Sequence, residues 1–360
     1  MCVPPRALVL DGPRRLRLAD GERRPLEAGQ VRLRSLFSGI SHGTELALYR
    51  GGSVFADRVF DRARRSFVRA GGDAPAPYPA TLGYEMVSEV SEVAPGVEGL
   101  AVGDVVHTGT PHQEETVLGV EAAAGLTHPL VRLPGPPDVS RGLFVSLTAI
   151  ALQAVHDAQL KLGDTVAVIG LGSIGLLVVQ LARLNGVTRV VAVDPSPDRA
   201  ALALRLGATD ALDPATLGDE LANAIRDANG GVGVDVAIET SGSDRGLHSA
   251  LAAARLAGTV VTVGFYQGGA ANLRLGEEWH HNRLTMVSSM GGWGAPHRSY
   301  PAWDRRRMTD TAAALLWSGA VDTSLLPTRT YPFERAPEAY RFIDEHPAVA
   351  LKVALVYGSS

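Results

Sequence analysis

Up to about Thr148 the apolar positions come in short runs of period two, broken by Gly and Pro: "ALVLDGPRRLRLADG", "QVRLRSLFSGIS", "MVSEVSEVAPGVEGLAVGDVV" and "EETVLGV". Alternation of this kind predicts β-strands with one face on a core. From about Ala149 the texture changes. "DTVAVIG", "RVVAVD", "VDVAIET" and "GTVVTVGF" are nearly continuous apolar runs, and helical periodicity follows the first two. Parallel strands covered on both faces read this way, so a doubly wound α/β unit is predicted. After about Tyr300 come a helix, "MTDTAAALLWSGAV", then a strand and helix in "TRTYPFERAPEAYRFIDEHP", and a last strand, "ALKVALVY". The pattern therefore predicts a doubly wound unit over 149–300, inserted between residues 1–148 and 301–360 of one β-rich domain.

Residues 51–79 carry a different signal. Phe55, Val59, Phe60, Ala63 and Phe67 fall on one helical face, with Arg58, Arg62, Arg65 and Arg69 largely off it. A surface helix with solvated arginines is the plain expectation. The alternative is a lid whose arginines attract an anionic substrate.

Composition narrows the class without changing this picture. With 360 residues, 46% apolar and 20% charged, the chain suits about two globular domains. A net charge of -4 supplies no basic footprint for nucleic acid. Cys2 is the single cysteine, which excludes an intrachain disulfide and any cysteine-cluster metal site. The N-terminal residues lack a signal peptide's apolar stretch, and no apolar run is long enough for a membrane span, so a cytoplasmic location is expected. Lysine occurs only at 161 and 352 while arginine is abundant, a bias that codon usage explains.

The strongest motif lies in "VAVIGLGSIGLLVVQLARLNGVTRVVAVDPSPDR". Gly170, Gly172 and Gly175 have G-x-G-x-x-G spacing, with Ser173 and Ile174 between the last two, after a predicted strand and opening a predicted helix. In that context Gly170 permits the tight turn, Gly172 lets the backbone approach a pyrophosphate, and Gly175 lets helix pack on strand. The diphosphate of a dinucleotide would then meet the free N–H groups of the helix start. Asp194 ends the next strand, about 20 residues on, where a carboxylate accepts from ribose hydroxyls and repels a 2'-phosphate. NAD is therefore expected over NADP, although Arg199 could swing to a phosphate.

The order of these parts, with "LGYE", "GVEGLAVGDVV", "LGATDALD" and "LKVALVY" in sequence, resembles the medium-chain dehydrogenase/reductase superfamily over essentially the whole chain. The resemblance implies an α/β fold made of a GroES-like β-rich catalytic domain plus a doubly wound Rossmann domain, often assembled as a homodimer. It also implies cofactor contacts at Thr148, on the nicotinamide side, at Thr240 and Ser241 after one strand, and at Val263 and Gly264 after the next. Lys352 in "LKVAL" looks like the family's cationic contact to the phosphates.

The zinc ligands of that family do not carry over. The stretch "SGISHGTELALYRG" offers Ser41 or His42 where the ligand cysteine is expected, and "LGYE" offers Tyr84 for the ligand histidine. The third ligand position falls near Phe144. Tyrosine and phenylalanine cannot complete the open tetrahedron of a catalytic zinc. The four-cysteine structural lobe is absent, since "VVHTGTPHQEETVL" runs through its place. The closest texture is a zinc-free branch with S-x-G-T-E and "HHNRLT" phrases, resembling bacteriochlorophyllide-type dehydrogenases. No metal is therefore expected: His280 and His281, adjacent on a strand, would point to opposite faces, and His107 and His112 flank a Gly/Pro turn.

Without a Lewis acid, a side-chain donor must stabilise charge developing on the substrate oxygen and exchange its proton. His42, Thr44 and Tyr84 are the candidates by position. The proton-transfer group is expected to be His42 or Tyr84, with Thr44 orienting the substrate hydroxyl. The alternative is that His42 touches only the diphosphate and Tyr84 only fills volume. Glu45 and Glu85 are expected in buried structural pairs, and His280 or Asn282 at a strand entry. The function expected is a zinc-independent, NAD-dependent dehydrogenase interconverting a secondary alcohol and a ketone of a biosynthetic small molecule. A C=C reductase of the enoyl or quinone type, and a non-catalytic dinucleotide-binding redox sensor, are the competing readings.

Overall fold

The computed structural model describes residues 4–56, 58–69, 78–123, 128–291 and 302–358; Cys2 lies outside them. The chain divides into two compact units, Met1–Leu126 with Arg329–Ser360, and Thr127–Thr328. The first is discontinuous, being made of two stretches of the chain. The helices Val145–Ala158 and Arg305–Trp317 group with the second unit. The first of them is buried along nearly its whole length, so it packs as an interior helix rather than ending a β domain.

In the first unit the strand Gln30–Ile40 is central. It pairs antiparallel with Met86–Val93, Glu115–Gly119 and Lys352–Val356. Its register with Met86–Val93 shifts at Arg32/Leu33 and Ser35/Phe37, and its last residues, Phe37 to Ile40, are all buried. The returning strand places Val353 opposite Ile40 and Leu355 opposite Ser38. A core of Leu8, Leu10, Ile40, Leu46, Met86, Phe333, Tyr340, Val353 and Leu355 fills this unit. The helix Ala336–Glu345 turns Ala336, Ala339, Tyr340 and Ile343 inward, the i, i+3, i+4, i+7 spacing of one helical face.

The surface helix expected over 51–79 is not what forms. After a short 3-10 turn, Val54–Ala56, the strands Arg58–Asp61 and Ser66–Arg69 make an antiparallel hairpin with Phe60 opposite Phe67. The Asp61 carboxylate accepts from the amides of Ala63 and Arg64, both at 2.9 Å, and that side-chain turn reverses the chain. Residues 70–77 lie outside the described region.

The second unit is built on a six-stranded parallel sheet. Its strands lie in the order Asp210–Leu212, Arg189–Val193, Thr165–Ile169, Val234–Glu239, Ala254–Thr262, Thr285–Ser288. Numbered along the chain this is 3-2-1-4-5-6, the dinucleotide-binding order, whose direction reverses beside Thr165–Ile169. The carboxyl ends Ile169 and Glu239, paired across that reversal, mark where such sheets bind ligands. Asp210–Leu212 escapes sequence detection because it is three half-buried residues without an apolar run. Among the described residues no helix is long and apolar enough to cross a membrane.

Candidate active site

Two polar constellations, one in each unit, occupy the positions that the sequence singled out. In the second unit, Gly170 sits at φ +91° right after its strand, and a Cβ there would meet the Ser241 amide nitrogen at 2.6 Å. Only glycine meets both conditions. At Gly175 a Cβ would lie within van der Waals distance of the Gly170 carbonyl oxygen and 2.9 Å from Thr240 Oγ1. Gly175→Ala is therefore expected to push helix from strand, costing about 1–3 kcal/mol by overpacking; chemical denaturation with a dinucleotide titration would register both losses. Gly172, which has no side chain to cap with, is the N-cap of the helix Ser173–Leu184. Ser173 and Ile174, half-buried, open that helix.

Asp194 ends Arg189–Val193 and is 6% exposed. Its Oδ2 accepts from the Leu171 amide at 2.7 Å and its Oδ1 from Ser196 at 2.9 Å, which ties the second strand end to the glycine turn. Arg199 Nη1 stands 3.9 Å from the same carboxylate. Thr240 donates to the carbonyls of Gly170 at 2.6 Å and Ile169 at 3.2 Å, so its hydroxyl locks the glycine turn. Ser241 binds Glu239 through both its amide and its hydroxyl. Val263 and Gly264 donate to the Glu239 carbonyl. Sequence reasoning missed Glu239 itself. This fully buried carboxylate also accepts from Gly242 and from the Tyr266 hydroxyl, and burial holds it above the ordinary carboxylate range against those donors. Thr148 is buried in Val145–Ala158, and its Oγ1 has no protein hydrogen-bond partner among the described residues. His280 and His281 are exposed on a helical turn, Glu278–His281, that leads into the strand Thr285–Ser288.

In the first unit the strand Gln30–Ile40 ends at Ile40 and the helix Thr44–Arg50 begins at Thr44. His42 is half-buried on the intervening turn, and Thr44 is exposed as the first residue of the helix. The Tyr84 hydroxyl donates to Ser41 Oγ at 2.7 Å, and Thr44 is a second partner of the same phenol. Burial, followed by the negative charges of Glu85 and Glu45, pushes the Tyr84 phenol well above its ordinary value; the two hydroxyl contacts oppose this weakly. Tyr84 is thus a neutral donor.

Beneath that turn lie two buried carboxylates. Glu45 Oε1 accepts from the Ser41 amide at 2.8 Å, while Oε2 accepts from the Tyr340 hydroxyl and stands 3.0 Å from His112 Nε2. Burial opposes its ionisation, but His112, Tyr340 and the Ser41 amide outweigh that and hold it below the ordinary range. His112 Nδ1 lies 2.7 Å from Ser38 Oγ, which is 3.0 Å from the Tyr357 hydroxyl. Glu85 pairs with Lys352, and its other oxygen, Oε1, has no protein partner among the described residues. Its carboxyl is raised by burial, against the pull of Lys352. A Cβ on Gly39 would meet Lys352 Nζ at 2.7 Å, so this glycine makes room for the pair. Lys352 is 2% exposed and committed to Glu85, which corrects its expected role as a phosphate contact.

Two family models match the chain. Residues 29–140 match the alcohol dehydrogenase GroES-like domain, and residues 173–306 match the zinc-binding dehydrogenase domain. A D-guloside 3-dehydrogenase of Shigella flexneri is 32% identical over 354 residues, covering 97% of this chain and 99% of that protein. The chain belongs to the medium-chain dehydrogenase/reductase superfamily. This medium-chain dehydrogenase is also 33% identical to an (R,R)-butanediol dehydrogenase of Bacillus subtilis over 280 residues, 71% of this chain and 76% of the other. The crystal structure of 2R,3R-butanediol dehydrogenase from B. subtilis superposes with a TM-score of 0.77 at 25% identity, covering 98% and 99% of the two chains. The superfamily places the protein among the oxidoreductases of the alcohol dehydrogenase type.

The positions read from the sequence as those of the superfamily's zinc ligands are Ser41 or His42, Tyr84 and Phe144. Ser41 and Tyr84 present a hydroxyl and a neutral phenol already bonded to each other, and Phe144, at the third position, is a buried hydrocarbon capping Val145–Ala158. Among the described residues no group of three or more His, Cys, Asp or Glu is arranged to hold a metal ion. The glycine turn, the helix start at Gly172 and Asp194 fit a dinucleotide.

Proposed function

We propose that this medium-chain dehydrogenase interconverts a secondary alcohol and a ketone without zinc, using NAD as hydride carrier and Tyr84 as proton-transfer group. The observation that carries the reading is the Tyr84 hydroxyl, a neutral donor bonded to Ser41 Oγ where a zinc enzyme would have two of its ligands. A bound dinucleotide supplies the hydride exchange, held by the Gly170–Gly175 turn, the start of Ser173–Leu184 and Asp194. The protein's own residues must stabilise the developing alkoxide and deliver its proton. A positioned phenol does both as one hydrogen bond shortens into a transfer. Exposed Thr44, bonded to the same phenol, gives the proton a way to water and orients the substrate hydroxyl. His42, on the same turn, is the alternative transfer group.

The full-length similarity to a protein named for dehydrogenating position 3 of a D-guloside favours a ring hydroxyl of a glycoside or polyol as substrate. NAD reduction should therefore be assayed against glycosides, polyols, β-hydroxy acids and simple alcohols, and NADH oxidation against ketones and enones, with metal content measured on the same sample. Turnover of a secondary alcohol in metal-free protein is the expected result. Stoichiometric zinc whose removal abolishes activity and whose return restores it, or turnover confined to enones, would overturn the proposal.

Asp194 supports NAD over NADP through charge repulsion with a 2'-phosphate. Asp194→Ser, with Arg199 retained, is expected to shift the ratio of kcat/KM toward NADP by about tenfold or more, the scale of removing one like charge at close range. Steady-state kinetics with both cofactors measures it. A homodimeric assembly in the cytoplasm belongs to the same proposal, and sedimentation velocity tests its first half.

A further inference from the structure

We propose that Glu45, gripped by His112 and Tyr340, is a positioning residue that aims the Tyr84 hydroxyl by fixing the Ser41 turn. The inference rests on the reading of Tyr84 as proton-transfer group, and adds how that group is oriented.

Ser41 is held twice. Its side chain receives the Tyr84 hydrogen bond at 2.7 Å, and its amide is anchored to Glu45 Oε1 at 2.8 Å. The oxygen that accepts from Tyr84 is therefore one residue's length from a fixed backbone point. Glu45 is itself 3% exposed on the first turn of Thr44–Arg50, and it is immobilised from two distant parts of the chain. Tyr340 reaches it from the inward face of Ala336–Glu345, and His112 from the loop before Glu115–Gly119. His112 is in turn held by Ser38 on the central strand. Each carboxylate oxygen of Glu45 thus has a donor or a histidine nitrogen on it, so the side chain has no second arrangement of equal quality.

A buried polar cluster of this connectivity is more than core filling requires. An apolar triplet of similar volume would avoid desolvating a carboxylate. What the carboxylate provides that an apolar side chain cannot is a directed acceptor for the Ser41 amide. The phenol has one proton: to protonate the substrate oxygen it turns that proton from Ser41 Oγ to the substrate while the Ser41 hydroxyl donates to the phenol oxygen in its place, an exchange that needs Ser41 Oγ held at hydrogen-bond distance. Positioning errors near 1 Å suffice to lower turnover by about 100-fold.

The test is a double-mutant cycle on the full chain. Tyr340→Phe removes one grip on Glu45 without changing ring volume, and Glu45→Gln keeps an acceptor for the Ser41 amide while removing the charge that His112 and Tyr340 bind. Each is combined with Tyr84→Phe, and kcat, KM and thermal stability are measured for all. The expected result is a fall in kcat of about 10- to 100-fold for Tyr340→Phe at nearly unchanged KM, and a smaller fall for Glu45→Gln. In the Tyr84→Phe background both substitutions should lower kcat by less than about twofold, because their route to the reaction is already gone. Full additivity in that background, with Tyr84→Phe itself strongly impaired, would overturn the positioning role and leave the role of Tyr84 standing. Unimpaired Tyr84→Phe would overturn the role of Tyr84 and the positioning role with it. A variant that melts early is read at a temperature where its folded fraction is complete, and the Glu45→Gln series supplies the same cycle independently.

Discussion

Tyr84→Phe should lower kcat by about 10²- to 10⁴-fold, the range over which a positioned acid or base contributes, while dinucleotide affinity changes little. The substitution deletes one oxygen. Ser41 Oγ loses its donor, and the local cost is that of one buried hydrogen bond, about 1 kcal/mol, so the fold survives to be assayed. Binding should be insensitive because the phenol is not among the groups proposed to hold the dinucleotide, which are the glycine turn, the helix start and Asp194. Single-turnover hydride transfer together with equilibrium cofactor titration separates the two quantities. His42→Ala in parallel decides between the two candidate groups on this turn.

The direction of reaction should respond to pH in a way that follows from the sign of the Tyr84 shift. Burial and the neighbouring Glu85 and Glu45 charges favour the neutral phenol, so its proton is kept above the ordinary tyrosine value of about 10. Ketone reduction uses the protonated form and should show no loss from Tyr84 ionisation up to about pH 10. Alcohol oxidation needs the proton removed and should climb with pH over the same range. A fall in reduction rate reporting a tyrosine below its ordinary value would contradict the assignment of a raised phenol.

Lys352→Met should destabilise the protein by about 3–5 kcal/mol, because it leaves Glu85 buried without its cation. Glu85 is 1% exposed, and its partner is one of only two lysines in the chain. In the variant the carboxyl loses both downward pulls of Lys352, leaving burial and the Glu45 charge acting upward against His112 alone, so its folded-state value, already raised, moves up further. For a carboxyl raised on folding, stability is lost as pH climbs from the unfolded value of about 4.3 to the folded one. The deficit of Lys352→Met should accordingly shrink as pH is lowered toward that value, and Glu85→Gln in the same background should recover most of it at neutral pH. Urea denaturation at several pH values reads both effects. Equal deficits at every pH would mean that the pair is not coupled as its geometry requires.

Much of the second unit could be read directly from the chain. The apolar runs, the glycine spacing and Asp194 lie within one strand–helix–strand stretch, where each local feature constrains the next. The first unit resisted in specific places. Phe55, Val59, Phe60, Ala63 and Phe67 fit a helical period, yet the Asp61 turn set Phe60 against Phe67 across a hairpin. A period of 3.6 and a cross-strand contact can share one spacing over so short a segment. Lys352 carried a plausible local phrase, but only the pairing of its strand with Gln30–Ile40 turned its ammonium inward to Glu85.

The sequence alone determined the α/β class and the glycine turn of a dinucleotide-type strand–helix unit. These follow from hydrophobic period and from glycine geometry, which act over a few residues. The tertiary structure decided which polar groups meet. Glu45 lies 67 positions from His112 and 295 from Tyr340, and Glu85 lies 267 from Lys352. Contacts at such separations arise from strand register and from which helix face is buried, and a single buried hydrogen bond leaves no periodic trace along the chain.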